Sequence, residues 1–534
     1  MRARPLLDDA TADVLGFDWL AHAVAPVSPP GERAFSELHP FAVGEETSAQ
    51  LRAERIGEVA ARLDPARIEA IRAALLELPD AASAIARASL GDVLADPAFL
   101  ELRRFCATIE RIDALLADVP VLAQLSNAAV GSVRDMLAQG QTNHDHFYLA
   151  DGFDVELAMA RAHLAKVQAE LNALRGRESE RVARELGREA LGGDEFIVMR
   201  AELRGAMPPD VRVLREAATY FLCTLEYGEA TLAALERRDT AAEAVADAEE
   251  RVRAKLSSTV RDNAAGLNAA ALAVGQLDVT IAAARFAQRY RCVPAELSQQ
   301  PVLAFEQARF PPLETELVAA GRAFMPLDLE LDDAAVLTGP NMGGKSVALL
   351  TCGFLALCVA FGLPVPAARA RVGLFTQIAW LGLGREGHVG GLLSSFAREV
   401  LALKEILSRE APRLLILVDE FARTTTPHEG KALLVALLAR LRERRACGLL
   451  ATHLEGVASA AGVRHFAVRG LRGIPAPPAT DDIRAALAAL GASMDYRIAE
   501  VSGDDVSRAD AIALTSLLGI DQQFVDAAYR ALVQ

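Results

Sequence analysis

A glycine-rich octapeptide, Gly339-Pro-Asn-Met-Gly-Gly-Lys345-Ser346, stands between a short apolar run, AAVLT, and a charge-free run of helical length, and no other stretch restricts the fold so tightly. It fits G-x-x-x-x-G-K-[ST], in which glycines let backbone N–H groups turn inward around phosphate oxygens at the start of a helix. The pattern requires a strand before it and a helix after it, the core of an α/β sheet domain. In that setting Lys345 reaches the β- and γ-phosphates and Ser346 ligates a divalent cation. Gly339, Pro340, Asn341, Met342, Gly343, Gly344 and Val347 line the nucleotide. The charge-free run from Val347 to Ala368 has the length of a membrane span. A wet phosphate site on its left flank, with Pro364 and Pro366 near its end, predicts a helix buried in a soluble domain instead, and no membrane partner.

A second element fits the first. LLILVDE places Asp419 and Glu420 at the end of an apolar strand, where the carboxyl edge of a parallel sheet brings them beside the phosphate loop. Asp419 is a candidate Mg²⁺ residue, and Glu420 a candidate to orient or deprotonate an attacking water. GLLATH ends a further apolar run at His453, a candidate γ-phosphate sensor. Lys345, Glu420 and His453 are thus the candidate catalytic residues, and ATP with Mg²⁺ the implied cofactors. AAVL (334–337), LLILV (414–418) and GLLAT (448–452), separated by helical stretches, predict buried parallel strands.

Upstream of about residue 300 the pattern is helical. Leu157, Leu164 and Leu171 repeat at seven, as do Ala160, Val167 and Leu174, which predicts a long helix packed along an a/d seam. FIVM (196–199) reads as a strand and MPPD (207–210) as a turn, with a second long helical tract from about Val211 to Arg289. The length, 534 residues with 52% hydrophobic and 24% charged, predicts about three or four domains at roughly 100–200 residues each. Six scattered cysteines without zinc spacing read as buried thiols of a reducing compartment. The N-terminus meets Asp8 and Asp9 before any signal-peptide core forms, so a cytoplasmic protein is expected.

TGPNMGGKS (338–346) is similar to the Walker A sequence of the MutS mismatch-repair family, and the likeness extends outward in order. FMPLDLEL (324–331) resembles the family's segment before that motif, SSFAREVLALKEIL (394–407) its ABC-type signature stretch, VDEFARTTTPHEG (418–430) its Walker B region, and ATH (451–453) its switch histidine. LADGFDVELAMAR (149–161) and QLDVTIAAARFAQRY (276–290) resemble its lever helices more weakly. The resemblance implies a multidomain chain, an α-helical lever/clamp region followed by a C-terminal α/β P-loop (ABC-type) ATPase domain. Its divisions would be a helical lever/core region over 1–150, lever helices with a short clamp-like insertion over 151–300, the ATPase domain over 301–480 and a helical dimerisation tail over 481–534. By resemblance Ser394 of one subunit touches the γ-phosphate held by Lys345 of the other, which implies a homo- or heterodimer with a MutS-like subunit. The likeness begins near residue 10, so the family's N-terminal mismatch-binding and connector domains are expected to be lacking. The loop after Walker B departs from the family's Gly-Arg-Gly-Thr: Ala422-Arg423-Thr424-Thr425 follows Phe421, and Glu429 stands where Asp is usual.

The target divides into two classes. A DNA clamp should present a basic inner surface, because Lys and Arg displace counterions from phosphates. The net charge is −15. In the clamp segment, Arg177, Arg181, Arg184, Arg188, Arg200, Arg204 and Arg212 alternate with Glu178, Glu180, Glu185, Glu189, Asp194, Glu195 and Asp210, a mixed solvated face rather than a basic stripe. One expectation is a DNA-structure-binding ATPase related to mismatch repair. The other is a protein-remodelling ATPase, similar to reactivating factors of cobalamin-dependent aminomutases, acting on a protein client. Arg398 and Lys404 read as solvated charges, and His144-Asp145-His146 as a polar turn.

Overall fold

The computed structural model describes residues 1–119, 122, 125–141, 146–203, 205–340, 343–382, 395–471, 493–502, 512, 515 and 520–533. They fall into two compact units, one of residues 78–113 and 124–271, the other of residues 1–77, 114–123 and 272–534.

The first unit is organised by two long helices, α1 (Val155–Glu185) and α2 (Glu229–Asp262). Asp154 starts α1 by accepting the Glu156 N–H at 2.7 Å, an N-cap bond. Leu157, Val167 and Leu171 are buried and Ala160, Leu164 and Leu174 half-buried, so all six seam positions turn away from water. On α2, Ala234, Ala241 and Ala248 are buried at the same spacing of seven, small side chains that let the two backbones approach. Arg237 and Glu170 close the outside of the pair at 2.9 Å.

Between these helices lies a three-stranded antiparallel sheet of β1 (Glu195–Met199), β2 (Val211–Glu216) and β3 (Tyr220–Leu225), in the order β1-β3-β2. The tract from Val211 is therefore not helical at its start. Its first fifteen residues pair as a hairpin closed by the Ala217 N–H on the Tyr220 carbonyl at 2.9 Å, and helix begins only at Glu229. Val, Tyr, Phe and Thr suit a pleated surface, and β1 supplies a partner edge that periodicity cannot reveal. Phe196, Val198, Val211, Cys223 and Leu225 face Val182 of α1 as a small core.

In the second unit, residues 272–289 belong to helix α3 (Ala264–Arg289). Asp278 accepts the Val27 and Ser28 N–H groups at 3.0 and 2.7 Å, where the chain turns into the helix Pro29–Ser36. Burial pushes this carboxyl up, and its Oδ1 has no hydrogen-bond partner. Gly275, one turn away, allows the close approach, since a Cβ there would lie 2.6 Å from the Pro30 carbonyl oxygen. Among the described residues α3 is long and apolar enough to cross a membrane, and 61% of its apolar window is buried inside the structure.

A four-stranded sheet of β4 (Glu296–Ser298), β5 (Leu303–Ala308), β6 (Leu327–Leu331) and β8 (Arg369–Gly373) runs in the order β4-β8-β5-β6. The larger sheet comprises β7 (Ala334–Thr338), β9 (Gln377–Leu381), β10 (Leu414–Asp419), β11 (Cys447–Ala451), β12 (Arg464–Leu471) and β13 (Met494–Glu500), in the order β13-β12-β7-β11-β10-β9. All its pairings are parallel except β12 with β13. The strands expected at AAVL, LLILV and GLLAT are its centre and are buried, as a sheet covered on both faces requires. β13 lies in a stretch expected to be helical; Met494, Ile498 and Ala499 instead pair along the open edge of β12. The charge-free run forms α4 (Lys345–Ala360), buried along nearly its whole length, and Gly362 at φ 61° turns the chain before Pro364. The other helices used below are α5 (Ser395–Ser408), α6 (Pro427–Glu443) and, near the C-terminus, α7 (Gln522–Val533). Five of the six thiols are buried and Cys292 is half-buried. Burial pushes Cys106 and Cys352 up to about 12.

Gly275→Ala tests the α3 packing by the sign of its effect. Helix propensity favours alanine by about 1 kcal/mol, while the new methyl meets a backbone oxygen that cannot rotate away. A net loss of stability is expected in urea unfolding, and a gain would refute the close packing.

Candidate functional site

Pairing register brings the site together. Asp419 lies opposite Ala451, and Ala451 opposite Leu337, so β7, β10 and β11 end level and their following residues leave the sheet at one edge. The Thr452 N–H continues this alignment by donating to the Leu337 carbonyl at 3.0 Å. The glycine-rich segment leaves β7 there and ends at α4, whose N-terminus carries partial positive charge. Gly339 (φ 148°) and Gly344 (φ 90°) adopt backbone angles that suit glycine. A Cβ on Gly344 would also lie 3.0 Å from the Tyr496 ring. Ahead of the loop, the Thr338 hydroxyl and His465 Nε2 are 2.8 Å apart.

Four polar side chains converge behind the loop. Ser346 Oγ donates to Asp419 Oδ2 at 2.8 Å. Lys345 is only 5% exposed; its Nζ donates to the Gly339 and Pro340 carbonyls at 3.0 and 3.2 Å and lies 3.5 Å from Glu420. Burial raises the Asp419 carboxyl above its ordinary value, the Glu420 charge adding to this and the Ser346 bond opposing it. An exposed hydroxyl beside a half-buried carboxylate that disfavours its own negative charge is a hard-oxygen donor set that a divalent cation would satisfy.

The turn after β10 is strained. Glu420 has φ 53° and Ala422 φ 61°, a left-handed region that side chains with a Cβ seldom adopt and that costs of order 1–3 kcal/mol each. The Glu420 N–H donates to the Ala451 carbonyl at 3.1 Å, and Arg423 lies 3.7 Å from the Glu420 carboxylate. At the far end of the loop, Thr426 caps α6 with Pro427 behind it. Glu429 accepts the Thr425 and Thr426 hydroxyls at 2.9 and 2.8 Å. The loop is thus held at both ends.

Sequence comparison agrees with this geometry. Residues 335–469 match the family model for MutS domain V. Over this segment the chain matches the MutS family's ATPase-bearing domain V. Curated relatives extend the match: a protein named Endonuclease MutS2 from Pelotomaculum thermopropionicum is 30% identical over 320 residues, 57% of this chain and 39% of the relative. Proteins of the same name from Carboxydothermus hydrogenoformans and Symbiobacterium thermophilum are each 35% identical, over 35% and 38% of this chain and 23% and 25% of their own lengths. The chain spans less than half the length of these relatives.

Within the matched segment, Gly339 and Pro340 follow β7 and Gly343, Gly344, Lys345, Ser346 and Val347 lead into α4, with Asp419 and Glu420 beside Lys345 and Ser346. His453 is exposed, two residues beyond β11. Asn341, Met342, Ser394, His144 and Asp145 lie outside the described residues. Arg398 and Lys404 are exposed, as expected of solvated charges. One residue of the site escaped sequence reasoning: Glu399 is 8% exposed and accepts the Ala422 N–H at 2.9 Å. The signal was its place on the apolar stripe Phe396, Leu403, Ile406 of α5, where a carboxylate is out of pattern.

Hydroxyl donation from Thr426 and Thr425 holds Glu429 below the usual carboxylate range. A carboxyl lowered on folding adds stability above its unfolded value and loses it as pH falls through the folded one. Glu429→Ala is expected to lower Tm at neutral pH, with the gap closing only below about pH 4.3. A gap unchanged in strongly acidic buffer would count against the cap.

Proposed function

We propose that the chain is an ATP-hydrolysing MutS-family protein in which nucleotide state drives a helical clamp. The observation that carries this reading is the convergence of Lys345 and Ser346, at the start of α4, with Asp419 and Glu420, at the end of β10. Residues Gly339 to Val347 would hold the phosphates through backbone N–H groups and the α4 N-terminus, with Lys345 as the fixed positive charge. Ser346 and Asp419 would hold Mg²⁺, which supplies charge neutralisation at the phosphoryl oxygens. Glu420 would orient and deprotonate the attacking water, and His453 would contact the γ-phosphate. In the dimer that the family likeness implies, Ser394 would complete the neighbouring site, so that ATP binding closes the two ATPase domains and lever helices carry the movement to the clamp. The ATPase rests on the phosphate-loop residues and the family likeness, and the nuclease in the relatives' name is not carried over, because the matched segment is a minor part of them.

DNA is the first reading of the clamp's target, by kinship with mismatch repair. A protein client is the second, and one observation favours it. Four of the seven clamp arginines pair with carboxylates within the unit: Arg181 with Asp210 at 2.5 Å, Arg188 with Glu202 at 2.6 Å, Arg200 with Glu216, and Arg212 with Glu226 at 3.9 Å, while Arg204 lies outside the described residues. Arginines so paired offer little counterion release to a phosphate backbone.

Glu420→Gln is expected to retain ATP while turnover falls by on the order of 10²-fold or more; undiminished turnover would refute the assignment of the base. Binding to branched and mismatched duplexes across a salt series separates the targets. A DNA clamp loses affinity linearly in log–log against salt. Absence of both salt-dependent binding and DNA-stimulated turnover would sink the DNA reading.

A further inference from the structure

Glu399 is a buried carboxylate on α5 that reaches across to another element, the strained turn that carries Glu420. Its Oε2 accepts the Ala422 N–H at 2.9 Å, and the side chain is only 8% exposed. A second contact joins the same two elements: the Phe396 and Phe421 rings lie 6.4 Å apart, at an interplanar angle of 36°. α5 therefore grips the turn at Phe421, by ring packing, and at Ala422, by a charge-assisted hydrogen bond.

Such a grip has a physical purpose. Glu420 and Ala422 both hold left-handed backbone angles although neither is glycine. Conformations of that kind persist only where the surroundings over-determine them. Inside the turn, the Glu420 N–H is held by the Ala451 carbonyl at 3.1 Å and the Ala422 N–H by Glu399. These two bonds bracket the residue whose carboxylate lies 3.5 Å from Lys345. Without the second, Ala422 would relax toward ordinary backbone angles, and the Glu420 side chain would swing with it. A buried carboxylate is a costly way to fill space, and an apolar residue would suit the stripe of α5 better.

We infer that Glu399 is a positioning residue for ATP hydrolysis, acting through the Ala422 N–H to hold Glu420 in its strained, water-orienting conformation. The inference rests on the reading of Glu420 as the base. It also makes α5 and Glu420 of one chain a single mechanical piece, so displacement of α5 alters that chain's own hydrolytic site without touching nucleotide.

Glu399→Gln and Glu399→Met test this in the full chain, because the two side chains are close in size and differ in having an acceptor for the Ala422 N–H. Turnover and KM for ATP are measured beside the wild type and Glu420→Gln, with thermal unfolding and ATP binding read on the same preparations. Glu399→Met is expected to lose turnover by on the order of 10²-fold, as for a misplaced catalytic group, with KM and ATP binding nearly unchanged. Glu399→Gln is expected to restore turnover to within about threefold of the wild type, the acceptor being kept. Equal turnover in the two variants, or a loss in Glu399→Met matched by lost ATP binding, overturns the inference while leaving the hydrolase reading intact. A wild type without ATPase activity overturns both.

Discussion

The level register of three buried parallel strands is the constraint on which the rest of the site depends. Because Leu337, Ala451 and Asp419 stand side by side across β7, β11 and β10, a loop, a carboxylate pair and a histidine-bearing turn leave the sheet at one edge. A slip of one residue in any pairing would turn every side chain of that strand to the other face and carry Asp419 away from Ser346. The apolar sequences of these strands make such a slip unfavourable, since one face is covered by the core that packs Ile406, Leu434, Leu438 and Leu441 and the other by α4, where Gly353 approaches Leu417. Burial of the sheet and placement of the chemistry are in this sense one event.

Within that frame the site concentrates electrostatic and conformational tension at a few residues. Lys345 is nearly buried, and its charge is met by two loop carbonyls and Glu420. Asp419 is raised by burial and by its acidic neighbour, which keeps the donor pair with Ser346 receptive to positive charge. Glu420 and Ala422 occupy backbone angles that free peptides avoid. Each feature would be a defect elsewhere in the fold, and here each is held by a named contact. Ala422 holds its left-handed geometry without being glycine. The loop thus has less backbone freedom than glycine would give it, and α5 holds it by the Glu399 bond.

The first unit obeys a different logic. Its two long helices close through a heptad seam of Leu and Val against Ala, and its small sheet has its own apolar core around Val182 and Cys223. Several of its arginines are paired inside the unit, as the arginine–carboxylate pairs around β2 and β3 illustrate. Exposed pairs of this kind add little stability. Their consequence is for recognition, because they remove positive charge from a surface that would otherwise attract polyanions.

Much of this was legible in the sequence because its signals are local. The glycine-rich loop with its flanking strand and helix, the runs ending at Asp419 and Ala451, the seam from Leu157 to Leu174 and the burial of the charge-free helix all follow from spacing and composition over a few residues. Tertiary structure alone decided three things. It made strands of 211–216, 220–225 and 494–500, because an unpaired strand edge elsewhere in the chain outweighs local propensity. It placed Asp278 under Val27 and Ser28, 251 and 250 residues away. It set Glu399 against the Ala422 N–H, so that a charge inside an apolar stripe became the support of a strained turn. Each of these depends on contacts between segments distant along the chain, and no periodicity within one segment carries that information.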